Sequence, residues 1–253
     1  MAEENKNAGE VSPAEESLAE ESPVDVSGNL KSVEERIAAA CRRAGRDRDS
    51  VKLVCVTKTK PLPMLEEAYR DGYRAFGENK VQEISLKKPQ LPSDIRWHMI
   101  GHLQTNKVKQ VLPNVVMIHS VESEHLANEI SKQAVKLGIE IPVLIEVNIA
   151  KEESKFGVMP EDATQFIRNI APLPGMKIRG LMTSAPYTEN PETNRVYFRN
   201  LRELAIDING QNIDNVSMYE LSMGMSGDFE VAVEEGATIV RVGSAIFGER
   251  HYS

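Results

Sequence analysis

The stretch Lys52-Leu-Val-Cys-Val-Thr-Lys58-Thr-Lys-Pro61 decides the fold that we predict for this 253-residue chain. It begins as a run of apolar and β-branched residues and ends at a proline, which is typical of a buried strand in a parallel sheet. Because side chains alternate along a strand, Val54, Val56 and Lys58 share one face. The amine of Lys58 is therefore expected at the carboxyl end of the strand, where α/β folds place their functional groups.

A lysine in this position has two interpretations. Apolar surroundings disfavour the ammonium form, so the pKa of Lys58 falls and its neutral amine can attack an aldehyde. The alternative is an ordinary solvated lysine that follows a strand. Taken alone, this stretch favours the ordinary lysine, and the rest of the chain must decide.

The overall composition excludes several classes of protein. The formal net charge of -8 argues against a general nucleic-acid or membrane binder, which needs a basic face. No apolar run approaches the roughly 20 residues of a membrane span. The two cysteines, Cys41 and Cys55, form no disulfide framework, and with five scattered histidines they give no spacing typical of a metal site. We expect a cytoplasmic globular protein without metal, membrane or nucleic-acid partners.

The chain divides into an acidic tail and a folded domain. Residues 1–28 are rich in Glu, Ser and Pro and poor in large apolar side chains, which predicts a disordered tail. Residues 29–253 form the predicted domain. Its first helix is expected to start at the capping box Ser32-Val-Glu-Glu35 and to end at Gly45.

Eight strand-like segments follow, and each is followed by a helical pattern. The predicted strands are 52–58, 74–77, 96–100, 115–120, 141–148, 177–182, 216–222 and 238–242. Eight β-α units in about 225 residues predict an α/β fold with a single closed (β/α)8 barrel, a TIM barrel, preceded by an extra N-terminal helix. An open doubly wound sheet uses the same units, but the dinucleotide fingerprint Gly-x-Gly-x-x-Gly after the first strand is missing. We predict the barrel.

A phosphate site is predicted beside Lys58. In a closed barrel strand 8 lies next to strand 1, and the loops after strands 7 and 8 commonly hold phosphate. Here those loops read Leu221-Ser-Met-Gly-Met-Ser226 and Arg241-Val-Gly-Ser244, where glycine admits an anion close to the backbone and serine adds donors. The predicted span to Lys58 is ~10 Å, about two strand spacings. Pyridoxal 5'-phosphate (PLP) carries an aldehyde and a phosphate at such a distance.

Three further polar residues are expected near the barrel mouth. Arg241 shares the inner face of strand 8 and can donate to a pyridine nitrogen, although an ion pair with Glu146 or Glu220 is the alternative. Asn79 either orients a bound ring or caps the next helix. His98 is more often a satisfied core histidine than a catalytic base.

Several motifs together resemble the YggS/PROSC family of pyridoxal phosphate homeostasis proteins. They are Val56-Thr-Lys58-Thr-Lys-Pro61, Phe76-Gly-Glu-Asn79, Trp97-His-Met-Ile-Gly-His-Leu-Gln-Thr-Asn-Lys107, Gly180-Leu-Met-Thr183, Leu221-Ser-Met-Gly-Met-Ser226, Arg241-Val-Gly-Ser244 and Ile246-Phe-Gly-Glu-Arg250. The resemblance runs in order from about Asn29 to Ser253. It implies a barrel like the N-terminal domain of alanine racemase.

The resemblance also implies a role for individual residues. It implies PLP bound as a covalent aldimine on Lys58, with the ring nitrogen on Arg241. The phosphate ligands are implied at Ser222, Gly243 and Ser244. Asn79 matches the asparagine of the Phe-Gly-Glu-Asn motif.

Three functions remain open at this point. The first is an amino-acid racemase, which needs acid/base groups on both faces of the cofactor, whereas Lys58 serves only one. The second is a carrier in PLP homeostasis that buffers PLP or delivers it to apoenzymes. The third is an unrelated barrel that binds another phosphorylated metabolite without an imine. We favour the carrier, without catalytic residues and as a monomer, because the racemase's second domain has no counterpart after strand 8.

Overall fold

The computed structural model of the chain describes residues 24–249. Eight parallel strands pair in chain order and close into a barrel, with β8 beside β1. The strands are β1 (Lys52–Val56), β2 (Ala75–Glu78), β3 (Arg96–Met99), β4 (Met117–Val121), β5 (Ile141–Glu146), β6 (Met176–Met182), β7 (Val216–Ser222) and β8 (Ile239–Val242). The predicted closed barrel is confirmed, and the open sheet is excluded.

Helices surround the barrel. They are α1 (Val26–Arg43), α2 (Leu62–Arg70), α3 (Val81–Lys87), α4 (Val108–Val111), α5 (Glu124–Leu137), α6 (Ala163–Ile170), α7 (Arg195–Asn209), α8 (Phe229–Glu234) and α9 (Ser244–Phe247). Short 3-10 turns, Thr105–Lys107 and Pro191–Asn194, precede α4 and α7. Within residues 24–249, no helix is both long and apolar enough to cross a membrane.

The strands separate an inner from an outer core by alternation. Val54, Leu144 and Ile239 belong to a small cluster inside the barrel. Leu53 and Cys55, the neighbours of Val54, face the helices and join the large outer core. This confirms the predicted faces of β1. Lys58 continues the inner face beyond the end of the strand, at the barrel mouth.

The first helix begins earlier than the capping box predicts. Asp25 caps α1 by accepting the N–H of Gly28 at 2.8 Å, and Ser32 lies inside the helix. The reason is packing, since Val26 and Leu30 are both buried. Of the predicted tail, residues 1–23 lie outside the described residues, and 26–28 belong to α1.

The extra N-terminal helix completes the outer ring. The last β-α unit ends in α9, which has only four residues. The helix α1 packs against α8, α9 and α2. Arg36 and Arg43 pair with Glu230 and Glu234 on α8, and Asn29 donates to the carbonyl oxygen of Ile246 at 2.9 Å. The first helix therefore covers the side of the barrel where α9, the helix that follows β8, is short.

Candidate functional site

A cavity of about 640 Å³ opens at the carboxyl ends of the strands. Five of the six predicted site residues line it: Lys58, Asn79, Arg241, Gly243 and Ser244. They come from the ends of β1, β2 and β8, which are neighbours in the barrel. The chain thus brings the lysine, the arginine and the glycine-serine pair into one space, at the face where barrel proteins keep their chemistry.

Lys58 projects from a tight turn at the end of β1. The N–H of Lys60 donates to the carbonyl oxygen of Thr57 at 3.0 Å, which closes the turn 57–60. Thr59 has a positive φ of 63°, a conformation that a β-branched residue rarely adopts. Its N–H donates to Glu83 on α3 at 2.7 Å. Lys58 itself is half-buried and lines the cavity.

Arg241 is buried on the inner face of the barrel, with 4% of its surface exposed. Nη1 donates to the carbonyl oxygen and to Oγ of Ser222, at 2.8 and 2.7 Å. Nη2 donates to the carbonyl oxygen of Thr183 at 2.9 Å and to Oγ of Ser184 at 3.3 Å. The guanidinium is therefore fixed in orientation by the last residue of β7 and by the loop that follows β6.

The alternative ion pairs of Arg241 are not formed among the described residues. Glu220 pairs instead with Lys52 at the other end of the barrel. Glu146 affects Arg241 only through its charge, without an ion pair between them in residues 24–249. Burial lowers the pKa of Arg241 to about 10, so the side chain keeps its proton at neutral pH. It remains a hydrogen-bond donor that faces the cavity.

Ser222 is the predicted site residue that does not line the cavity. It is fully buried, and its hydroxyl lies between Arg241 and Nδ1 of His119, at 2.9 Å from the latter. Nε2 of His119 in turn contacts Nδ1 of His98 at 2.9 Å. Burial lowers the pKa of His98 to about 3, so the histidine pair stays neutral inside the barrel. His98 is thus a core histidine, as predicted.

Ser226 occupies the position at the cavity that the sequence suggests for Ser222. Its Oγ accepts the backbone N–H groups of Gly243 and Ala245, both at 3.2 Å. A Cβ atom at position 243 would approach Val56 to 3.3 Å, so glycine allows the close approach of β8 and β1 here. The donors of the predicted phosphate site therefore converge at Ser226.

The Ser226 loop is held by a second set of contacts. Asp228 accepts the N–H of Met225 at 2.7 Å and the side-chain amide of Asn194 at 2.8 Å. The same amide donates to the carbonyl oxygen of Pro186 on the loop after β6. These bonds join the loops after β6 and β7 and fix one wall of the cavity.

Asn79 does not cap the next helix. Lys80 precedes the first residue of α3, and no side chain bonds its free N–H groups within the described chain. Asn79 instead lines the cavity beside Lys58. This excludes the capping alternative and leaves Asn79 as a residue of the cavity wall.

Several lining residues were not singled out from the sequence. Glu152 and Lys155 come from the long connection between β5 and α6, and Tyr187 comes from the loop after β6. A long loop at the carboxyl end of a barrel strand is itself a signal of function, and it could have pointed to the first two. In residues 24–249, no three His, Cys, Asp or Glu side chains are arranged to hold a metal ion.

Comparison with known proteins identifies the family. The family described as alanine racemase, N-terminal domain, matches residues 28–251. A pyridoxal phosphate homeostasis protein of Aquifex aeolicus is 51% identical over 224 residues, which cover 88% of this chain and 97% of that relative. The chain belongs to the pyridoxal phosphate homeostasis protein family.

Two solved structures resemble this family member along its whole barrel. An unknown protein from Bifidobacterium adolescentis is 39% identical with a TM-score of 0.84, and it covers 88% of this chain and 94% of its own. PipY of Synechococcus elongatus, determined with PLP bound, is 36% identical with a TM-score of 0.74, covering 85% of this chain and all of its own. The barrel is thus the alanine racemase N-terminal-like fold that the motifs predict.

Proposed function

We propose that this chain binds PLP in the barrel-mouth cavity, holds it as a Schiff base on Lys58, and buffers it or delivers it to apoenzymes. The observation that carries the proposal is that Lys58, Arg241 and the Gly243-Ser244 pair line a single cavity. The names of the relatives and the PLP-bound structure of PipY support it. A volume of about 640 Å³ is also ordinary for a small-molecule site.

Lys58 provides the covalent link in this proposal. Its Nζ attacks the aldehyde carbon, a carbon–nitrogen double bond forms, and the aldehyde oxygen leaves as water. The bond is reversible by hydrolysis or by exchange with another amine. A carrier needs such a reversible bond, because it has to release the same molecule that it took up.

Arg241 binds the ring nitrogen in this proposal. The four hydrogen bonds that it makes to described residues all leave from Nη1 and Nη2. Nε–H is then the donor left for a ligand. A protonated arginine donates to the ring nitrogen without protonating it, which weakens the ring as an electron sink. This favours storage of the cofactor over catalysis.

The phosphate is bound by the start of α9 and by Ser226. The N–H groups of Gly243 and Ala245 already converge on one oxygen, Oγ of Ser226, so a phosphate oxygen can take or share that position. In this proposal Gly243 and Ser244 bind the phosphate, as the motifs suggest. Ser222 is assigned instead to the support of Arg241, because its hydroxyl contacts Arg241 and His119.

A borohydride experiment tests this proposal. PLP added to the protein should give the imine absorption band, and reduction should leave a label on Lys58 that mass spectrometry detects. Lys58→Ala should lose the band and retain weak binding through the phosphate. Lys60→Ala is the matched control, since Lys60 lines the same cavity and donates to the carbonyl oxygens of Gly248 and Glu249.

Each other outcome contradicts part of the proposal. Absence of any label would leave a barrel that binds a different phosphorylated metabolite. A label on Lys60 would move the covalent site by two residues. A label on Lys58 together with turnover of alanine enantiomers would make the protein a racemase. Reactivation of an apoenzyme by the loaded protein tests delivery, and light scattering tests the expected monomer.

A further inference from the structure

The turn that presents Lys58 is anchored on both sides by one buried lysine and the two glutamates that it contacts. We define the α3 clamp as Lys87 together with Glu78 and Glu83. Lys87 lies at the end of α3 with 9% of its surface exposed, and Glu78, the last residue of β2, is fully buried. Nothing in the proposed chemistry uses these three charged groups.

Lys87 uses all three of its N–H donors inside the protein. Nζ donates to Oε1 of Glu78 at 2.7 Å, to Oε2 of Glu83 at 2.9 Å and to the carbonyl oxygen of Thr57 at 2.8 Å. An ammonium group has three donors and no acceptor, so this buried charge is saturated. Its third bond ends on the residue that precedes Lys58.

The residue that follows Lys58 is held by the same clamp. The N–H of Thr59 donates to Oε2 of Glu83, the oxygen that also accepts Lys87. Thr59 is the turn residue at positive φ, a conformation that costs free energy for any residue except glycine. The clamp offsets that cost, because it bonds the peptide groups on both sides of Lys58.

The clamp also connects the Lys58 turn to the end of β2. Oγ1 of Thr57 donates to Oε1 of Glu78 at 2.6 Å, and Asn79, the next residue, lines the cavity. Burial raises the pKa of Glu78 above its usual range, which the donors Lys87 and Thr57 offset only in part. Burial by itself would raise the pKa of Glu83, but the hydrogen bonds from Lys87 and Thr59 and the charge of Lys87 act against it, so the pKa is lowered. One ammonium group thus joins two structural elements of the site.

We propose that Lys87 and Glu83 are positioning residues that hold the turn 57–60 so that the amine of Lys58 meets the aldehyde of PLP. This rests on the proposed function. Neither residue touches the ligand. Their main effect is on the geometry of the covalent link, because Arg241 comes from β8 and the phosphate donors come from Ser226 and the start of α9, none of which belongs to this turn.

Two ligands separate positioning from general structural support. PLP can form the imine, whereas pyridoxine 5'-phosphate carries an alcohol in place of the aldehyde and cannot. Lys87→Met should weaken PLP binding by about tenfold or more, because a displaced amine loses the covalent contribution. Pyridoxine 5'-phosphate should bind within about twofold of the wild type, since its phosphate and ring contacts do not depend on the turn.

Two further variants and one control complete the design. Glu83→Ala removes the acceptor of Thr59 from a partly exposed position and should reproduce the selective loss, which decides the matter if Lys87→Met does not fold. Adding Thr59→Gly to Lys87→Met relieves the strained residue and should restore part of the PLP affinity. Lys88→Met is the matched control, because Lys88 is adjacent but its amine bonds the distant carbonyl oxygen of Pro113, and within residues 24–249 it makes no hydrogen bond to the turn.

The result that overturns the proposal is equal loss of both ligands, or unchanged PLP binding, in Lys87→Met and Glu83→Ala. These outcomes are distinct from failure of the proposed function. If the wild-type protein forms no imine, the proposed function fails first. If the wild type forms the imine and the clamp variants form it equally well, only the positioning role fails.

Discussion

At the level of single residues, Ser222 and Ser226 flank one turn but have different hydrogen-bond partners. Oγ of Ser222 lies 2.7 Å from Nη1 of Arg241 and 2.9 Å from His119. Oγ of Ser226 instead accepts two backbone N–H groups at the cavity. The first hydroxyl therefore orients a side chain, whereas the second lies where we propose that the phosphate binds.

This difference predicts that only one of two serine variants changes the selectivity for the phosphorylated ligand. Ser226→Ala should reduce the preference for PLP over pyridoxal, which lacks the phosphate, by about tenfold, because a hydrogen bond to a charged oxygen is lost. Ser222→Ala should weaken both ligands equally, through Arg241. Absorbance titrations of both variants with both ligands measure the preference. Loss of the preference in Ser222→Ala alone would restore the phosphate role that the motif suggests for Ser222.

Strand β6 carries an irregularity that shapes the barrel at the level of elements. The register with β5 and with β7 shifts between Ile178 and Gly180. Gly180 has a φ of 155°, and a Cβ atom there would lie 1.7 Å from the carbonyl oxygen of Glu220. Such a bulge re-aims the residues that follow it, here Met182 toward the inner cluster. Only glycine fits at this position.

Replacement of that glycine should disrupt the pairing of β6 with β7. Gly180→Ala is expected to lower the free energy of unfolding by about 3 kcal/mol or more, because the backbone conformation and the contact both exclude a side chain. Gly210→Ala is the control, since Gly210 has no positive φ and a Cβ atom there would lie 3.5 Å from the carbonyl oxygen of Ile206. Urea denaturation measures both. Equal, small losses would show that β6 can regularise without a bulge.

The buried histidine pair couples the stability of the whole molecule to pH. Burial holds the pKa of His98 at about 3, against 6.5 for an unfolded histidine, and lowers that of His119 well below 6.5. Below pH 6.5 the unfolded chain binds protons that the folded chain does not. The stability that these neutral histidines allow is therefore lost as the pH falls from about 6.5 toward 3.

A histidine variant separates the pH dependence of stability that the histidine pair causes from the pH dependence caused by glutamates that titrate in the same range. His98→Gln should be less stable than the wild type at pH 7, and the gap should shrink by about 2 kcal/mol at pH 4.5. Urea denaturation at the two pH values measures the gap. A constant gap for His98→Gln would mean that this histidine is protonated in the folded protein.

The fold could be predicted from the sequence because its signals are local. The bounds of β7 were predicted to the residue, and the alternation in β1 placed Val54 and Lys58 on the inner face. The start of α1 was missed because Gly28 suggests a boundary, whereas the burial of Val26 extends the helix. Long-range packing overrides local propensity there.

The site could be predicted only in part. Five lining residues follow from strand ends and motifs, but the two serines around Gly224 look equivalent in sequence. Their roles depend on the left-handed turn at that glycine, where φ is 95°. Lys87 gave no signal at all, because a lysine at the end of a helix is typical of a solvated surface.

The contact between α1 and α9 has a consequence for synthesis on the ribosome. Asn29 and Ile246 are 217 residues apart and bond directly. The part of the first helix that packs against α8 and α9 therefore lacks its final partners until nearly the entire polypeptide is translated. We expect a nascent-chain chaperone to cover Leu30 and Ile37 during that interval. The packing of α8 and α9 against α1, which completes the outer ring of helices, should be the last and slowest step of folding.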